Sequence, residues 1–101
     1  MGEQSKWSGR VGQWAEDRNI IGGSTAQHQL GKLIEEVGEL ATALANESFR
    51  ELEDAIGDCA VVLCVIARQS GLDFDECLEA AWHEIKHRKG RLVNGQFVKE
   101  E

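Results

Sequence analysis

Between residues 25 and 46 apolar side chains return every three or four positions, at Leu30, Leu33, Ile34, Val37, Leu40, Ala41 and Leu44. That is the period of a helix with one buried face, and the spacing predicts that all seven face the core. Gln29, Lys32, Glu36 and Glu39 fall on an adjoining polar stripe. Ahead of it, Trp7, Val11, Trp14 and Ala15 stand at i, i+4, i+7 and i+8, which predicts an amphipathic helix over 5–18 with two indoles on its inner face. Gly22 and Gly23 interrupt the pattern, and Ser24 with Gln27 three residues later reads as a capping box for the helix that follows.

A second box, Ser48 with Glu51, opens a helix over 49–69 whose segment from Cys59 to Ala67 is apolar on every side, as a helix buried all round would be. Gly71 supplies its stop. Asp73 with Glu76 caps a further helix over 74–89, with Phe74, Cys77, Leu78, Ala81, Trp82 and Ile85 as its apolar set and a basic end at Lys86, His87, Arg88, Lys89 and Arg91. Cations there suit the helix dipole, or can hold phosphate. Asn94-Gly95 between two short β-prone runs is a strong hairpin signal over 91–98. Three residues a side are too few to be stable alone, so the hairpin is expected to pack on the bundle or on a second subunit. The expected architecture is all-α: four helices and a short C-terminal β-hairpin in one domain over 1–101.

Composition narrows the function. With 101 residues the chain holds one small core, and oligomerisation would extend it. The formal charge of −7 argues against binding a nucleic-acid backbone or an anionic membrane surface. Cys59, Cys64 and Cys77 form no C-x-x-C pair and fall on apolar helix faces, as reduced buried thiols do. The first residues carry no apolar leader segment, and no run reaches the ~20 apolar residues of a membrane span. A cytoplasmic protein is expected.

The chemistry lies in the acids. Glu36 and Glu39 are three apart, and Asp54 and Asp58 four apart, so each pair shares a helix face. They stand at the edge of stripes expected to be buried, where an unpaired carboxylate is very costly. Lys32, Arg50 and Arg68 are too few nearby cations to neutralise them all. A magnesium site built from two helices satisfies the pattern, because Mg²⁺ takes oxygen ligands and keeps several waters; Mn²⁺ is a possible substitute. Gly38 and Gly57 each precede an acid, which suggests two backbones drawn together around the carboxylates.

E-E-V-G-E-L at 35–40, followed by D-A-I-G-D at 54–58 at the start of an apolar helix, resembles the MazG-like family of all-α nucleoside triphosphate pyrophosphohydrolases, and most closely its small single-domain phage-type members. The resemblance runs from about Trp14 to the C-terminal end. It implies Mg²⁺-dependent hydrolysis of a (d)NTP to the monophosphate and pyrophosphate by metal-activated water attack at the α-phosphorus. It also implies a homodimer or tetramer, with the site near helices of more than one subunit. Glu36 and Glu39 match the first two metal ligands and Asp58 the aspartate closing the second motif. The family pattern there is Glu-x-x-Asp, and Ala55 stands where the glutamate is expected. Asp54 is the first candidate to replace it and Glu51, one turn back, the reserve. His83 stands where the family commonly has Asn or Asp.

With that reading Glu35 is a candidate to orient or deprotonate the water. Lys32, Lys86, Arg88 and Arg91 are candidates for the phosphates, Arg through bidentate contacts. Trp14, Gln29 and His28 are candidates for the base and sugar, Trp14 by stacking. Two other classes fit parts of the pattern. A helical interaction module would carry the acids as a solvated face. A di-iron four-helix protein would need two Glu-x-x-His pairs, and the sequence holds one, Glu84 with His87.

Overall fold

Side-chain caps set where the long helices begin. In the computed structural model, which describes residues 6–100, Thr25 rather than Ser24 caps the second long helix, its hydroxyl accepting the His28 N–H at 3.1 Å. Ser48 accepts the Glu51 N–H at 3.2 Å and Asp73 the Glu76 N–H at 3.1 Å, as the spacing of those residues requires. The elements in chain order are α1 (Lys6–Asp17), a single turn α2 (Ile20–Gly23), α3 (Ala26–Asn46), α4 (Phe49–Gln69), α5 (Phe74–Ile85), β1 (Gly90–Val93) and β2 (Gln96–Lys99). The expected helix start at residue 5 lies outside the described residues. The fold is all-α with a C-terminal hairpin.

Two boundaries differ from the expectation. The break after α1 holds its own turn, α2, fastened by Gln69, whose Nε2 donates to the carbonyls of Ile20 and Ile21 at 3.4 Å each. The last helix stops at Ile85, four residues early. The Lys86 to Lys89 run lacks apolar residues to hold a fourth turn against anything, and tertiary packing supplies most of a helix's stability.

α3 and α4 form an antiparallel pair, with α1 and α2 laid along α4. Gly71, at φ 76°, ends α4, and the Leu72 N–H reaches back to the Ala67 carbonyl at 2.8 Å, the bond of a Schellman stop. α5 then leaves α4 at 99°, tied to α1 where the Ser8 hydroxyl donates to Asp75 at 2.8 Å. At the hairpin Asn94 and Gly95 both have positive φ, 53° and 82°, as a two-residue type I′ turn demands. Arg91 pairs with Val98 and Leu92 with Phe97.

The core is narrow and made of small side chains: Ala15, Ala43, Ala55, Val62, Cys64, Val65 and Ala67. On α3 the seam toward α4 consists of Ala26, Gln29, Leu33, Glu36, Leu40 and Ala43, while Leu30, Ile34, Val37, Ala41 and Leu44 are exposed, Ile34 at 65%. The expected core stripe is therefore split, and its larger half faces outward. The physical reason is width: the stripe is broader than one helix can cover, and among the described residues α4 is its principal neighbour. α5 likewise exposes Leu78, Trp82 and Ile85, and the hairpin exposes all eight strand residues instead of packing on the bundle. No single helix among the described residues is long and apolar enough to cross a membrane.

Candidate functional site

Where α3 and α4 approach their connecting turn, small side chains leave a gap between them. Ala55, only 4% exposed, stands among the residues lining a cleft of about 320 Å³, with Thr42 and the carboxylates of Glu35, Glu36, Glu39, Glu51, Asp54 and Asp58. The helical period delivers the acids: 36 and 39 from one helix, 51, 54 and 58 from the other, all within one or two turns. Thr42 continues the row at i+3 from Glu39, and its hydroxyl donates back to the Gly38 carbonyl at 3.2 Å. Nothing in its residue type singled it out in the sequence.

Compensation is sparse and one-sided. Lys32 Nζ lies 3.5 Å from Glu35 and 3.4 Å from Glu36. The neighbouring Glu35 charge, followed by Glu36, raises the Lys32 pKa above its ordinary value. Glu36 is the most enclosed member of these pairs, its side chain 13% exposed. Glu51 accepts from Asn46 Nδ2 at 3.0 Å. Among the described residues Glu39, Asp54 and Asp58 have no cationic partner, and no three acids converge tightly enough to enclose an ion by themselves. The donor set is all oxygen and strongly anionic. It fits a hard divalent cation that keeps waters and shares ligands with a second anion, and it does not resemble a closed structural metal site.

The remaining candidates lie elsewhere in the chain. Trp14 lines an apolar niche of about 370 Å³ with Trp7, Arg10, Val11, Val61 and Asp58, so Asp58 forms a wall of both this niche and the acidic cleft. Arg10 stacks on Trp7 at 4.8 Å and Arg18 on Trp14 at 5.0 Å. Gln29 Nε2 donates to Ser24 at 3.1 Å and His28 Nδ1 meets Thr25 Oγ1 at 3.1 Å; neither lines the cleft. Lys86, Arg88 and Arg91 do not line it either. Lys86 contacts His83 at 3.0 Å, Arg88 pairs with Glu84 at 3.7 Å, and Arg91 is on the hairpin. His87 falls beyond the end of α5, which stops at Ile85. A Cβ placed on Gly38 or Gly57 would meet nothing within 4 Å, so among the described residues neither glycine serves a close approach, contrary to the expectation of two backbones drawn together there.

Both acidic motifs fall within residues 24–93, which match the family model described as the MazG nucleotide pyrophosphohydrolase domain. A relative in Haemophilus phage HP1, an uncharacterized 18.2 kDa protein of the rep-hol intergenic region, is 46% identical over 63 residues. That alignment covers 62% of this chain and 39% of the relative's own length. No solved structure matches the chain.

Proposed function

Because the chain belongs to the family of MazG nucleotide pyrophosphohydrolase domains, we propose that it hydrolyses nucleoside triphosphates to monophosphate and pyrophosphate with Mg²⁺, Mn²⁺ serving as a substitute. One observation carries the reading: two helices of the matched segment place six carboxylates around one cleft, and among the described residues Lys32 alone forms ion pairs with any of them. A triphosphate could not enter that cleft unless cations offset the repulsion.

Glu36, Glu39, Asp58 and Asp54 would hold the cation, with Glu51 as the alternative fourth ligand. When bound, Mg²⁺ supplies charge neutralisation and Lewis acidity at the phosphates. Glu35, at the rim beside Lys32, orients the attacking water and accepts its proton as the water approaches the α-phosphorus. Lys32, which pairs with Glu35 and Glu36, would turn to a phosphate oxygen. The Trp7–Trp14 niche joins the cleft at Asp58 and is apolar enough to take the base by stacking. Attack must be in line with the departing pyrophosphate, so the residues' main contribution is position.

A homodimer or a tetramer is part of the proposal. Leu30, Ile34, Val37, Ala41 and Leu44 form an exposed stripe at alternating four- and three-residue spacings, and burying a Leu, Ile or Val is worth about 1.5–3 kcal/mol each. The proposed setting is the cytoplasm.

The test is incubation with each (d)NTP and Mg²⁺, followed by separation of nucleotides and assay of pyrophosphate. The expected result is equimolar monophosphate and pyrophosphate, with Glu39→Gln and Asp58→Asn each lowering the rate by about 100-fold or more at unchanged helical content. Hydrolysis to the diphosphate, or full activity in both variants, would sink it.

A further inference from the structure

The apolar niche beside the cleft has one cation among its described lining residues, Arg10. Arg10 follows Trp7 by three residues and precedes Trp14 by four, so the three share one face of α1. Its guanidinium lies over the Trp7 ring, 4.8 Å from the centroid, a contact that steadies the planar fork and leaves its N–H donors unspent. Among the described residues Arg10 forms no ion pair. The neighbouring arginines are committed elsewhere. Arg18 donates to the Trp14 carbonyl at 3.3 Å and does not line the niche, and Arg68 pairs with Glu16 at 3.7 Å.

α1 is fastened on both sides of this face. The Ser8 hydroxyl donates to Asp75 at 2.8 Å, Glu16 meets Arg68, and between them Gly12 lets the Arg68 guanidinium lie where a Cβ could not fit. Arg10 is thus presented from a fixed helix. All of α1 precedes the matched family segment, which begins at residue 24, so the match assigns Arg10 no part.

We propose that Arg10 is a specificity residue that selects guanine nucleotides, its fork donating to O6 and N7 of a base stacked in the Trp7–Trp14 niche. The side-chain polar groups that α1 brings to the niche are donors alone, a guanidinium and two indole N–H groups. They require a base that offers acceptors. Guanine presents O6 and N7 side by side, the pair that an arginine fork meets bidentately. Adenine sets an N6 amino group beside N7, and cytosine offers its N4 amino group, so each turns donors toward donors. Thymine and uracil have O4 alone on that edge. Asp58, the acceptor in the wall, is taken by the cation in the reading of the cleft given above. The inference rests on that reading for the triphosphate, and on the α1 face alone for the base.

Calorimetric titration of the full chain with dGMP, dAMP, dCMP and dTMP in Mg²⁺ tests it without turnover. The wild type is expected to bind dGMP roughly 10-fold more tightly than dAMP or dCMP, the scale of one bidentate base contact. Arg10→Met should bring dGMP down to the level of dAMP and leave dAMP within about 2-fold. Arg10→Lys keeps the charge but loses the fork, and should level the bases in the same way. An arginine that merely attracted phosphate would act differently: Arg10→Met would weaken all four alike and Arg10→Lys would restore them. That result, equal affinities in the wild type, or no binding of dGMP overturns the proposal. Because Arg10 is exposed, both variants should keep the wild-type helical content. Competitive turnover of an equimolar dNTP mixture separates the two readings. Turnover with no preference for dGTP overturns the role of Arg10 and leaves the hydrolase reading intact. Absence of turnover, with an Arg10-dependent preference for dGMP, leaves the base site standing and removes the hydrolase.

Discussion

Lys32 Nζ stands 3.4 Å from Glu36 Oε2 and 3.5 Å from Glu35 Oε1, one ammonium shared by two carboxylates of the cleft. It lies beside carboxylates proposed to hold the cation, so ammonium and cation would compete for them. Replacing Lys32 by Met is expected to tighten Mg²⁺ binding to the nucleotide-free protein by roughly 2- to 5-fold, the scale of an exposed ion pair. The same change should raise KM for the triphosphate. Calorimetric titration with Mg²⁺ and steady-state kinetics separate the two effects; weaker Mg²⁺ binding would contradict the competition.

Asp54 and Glu51 both line the cleft, yet they are not equivalent. Glu51 already accepts a hydrogen bond from Asn46, whereas among the described residues no cation pairs with Asp54. Asp54→Asn is therefore expected to cost more activity than Glu51→Gln, by about 10-fold or more on the scale of losing a group that supports metal binding. Activity of the two variants across a Mg²⁺ titration decides which one stands in for the glutamate absent at Ala55. The reverse order would assign the role to Glu51.

Gly38 and Gly57 lie inside helices with open space where a Cβ would go. In the isolated chain, alanine at either position should stabilise by about 0.5–1 kcal/mol, since glycine weakens a helix interior by that amount. Thermal unfolding measures it. A fall in Tm for Gly38→Ala would show that another copy packs against that turn.

Cys64 is buried, and burial, followed by the nearby Asp75 and Asp73 charges, raises its thiol pKa. The unfolded chain then releases the proton at lower pH than the folded one. Stability from the neutral thiol is complete below the unfolded value and is lost as pH rises through the folded value. The wild type should lose unfolding free energy more steeply than Cys64→Ala between pH 8 and 10. Native alkylation should reach Cys64 last of the three cysteines, Cys77 being exposed and Cys59 half-buried. Equal slopes for the two proteins would remove the thiol as the cause.

Much of this molecule is local and so was legible in the residues. The all-α fold follows from helical periodicity and from caps at Ser48 and Asp73 that act within three residues of themselves. The hairpin follows from Asn94-Gly95, the pair that tolerates two positive φ values. That the acids at 36, 39, 54 and 58 share one cleft is close to local too, because a two-residue turn joins α3 to α4 and forces them antiparallel. Tertiary structure alone decided which half of the α3 stripe is enclosed. The sequence marks Leu30, Ile34, Val37 and Leu44 as apolar but cannot say what covers them, and among the described residues the principal neighbour, α4, takes the adjoining seam of Leu33, Glu36, Leu40 and Ala43. The direction of α5 is likewise set by the Gly71 stop and the Ser8 to Asp75 contact, a pairing 67 residues apart that no local pattern encodes. That direction carries Lys86, Arg88 and Arg91 away from the cleft of their own chain, although their charge is plain in the sequence, because charge is a property of the residue and reach is a property of the fold.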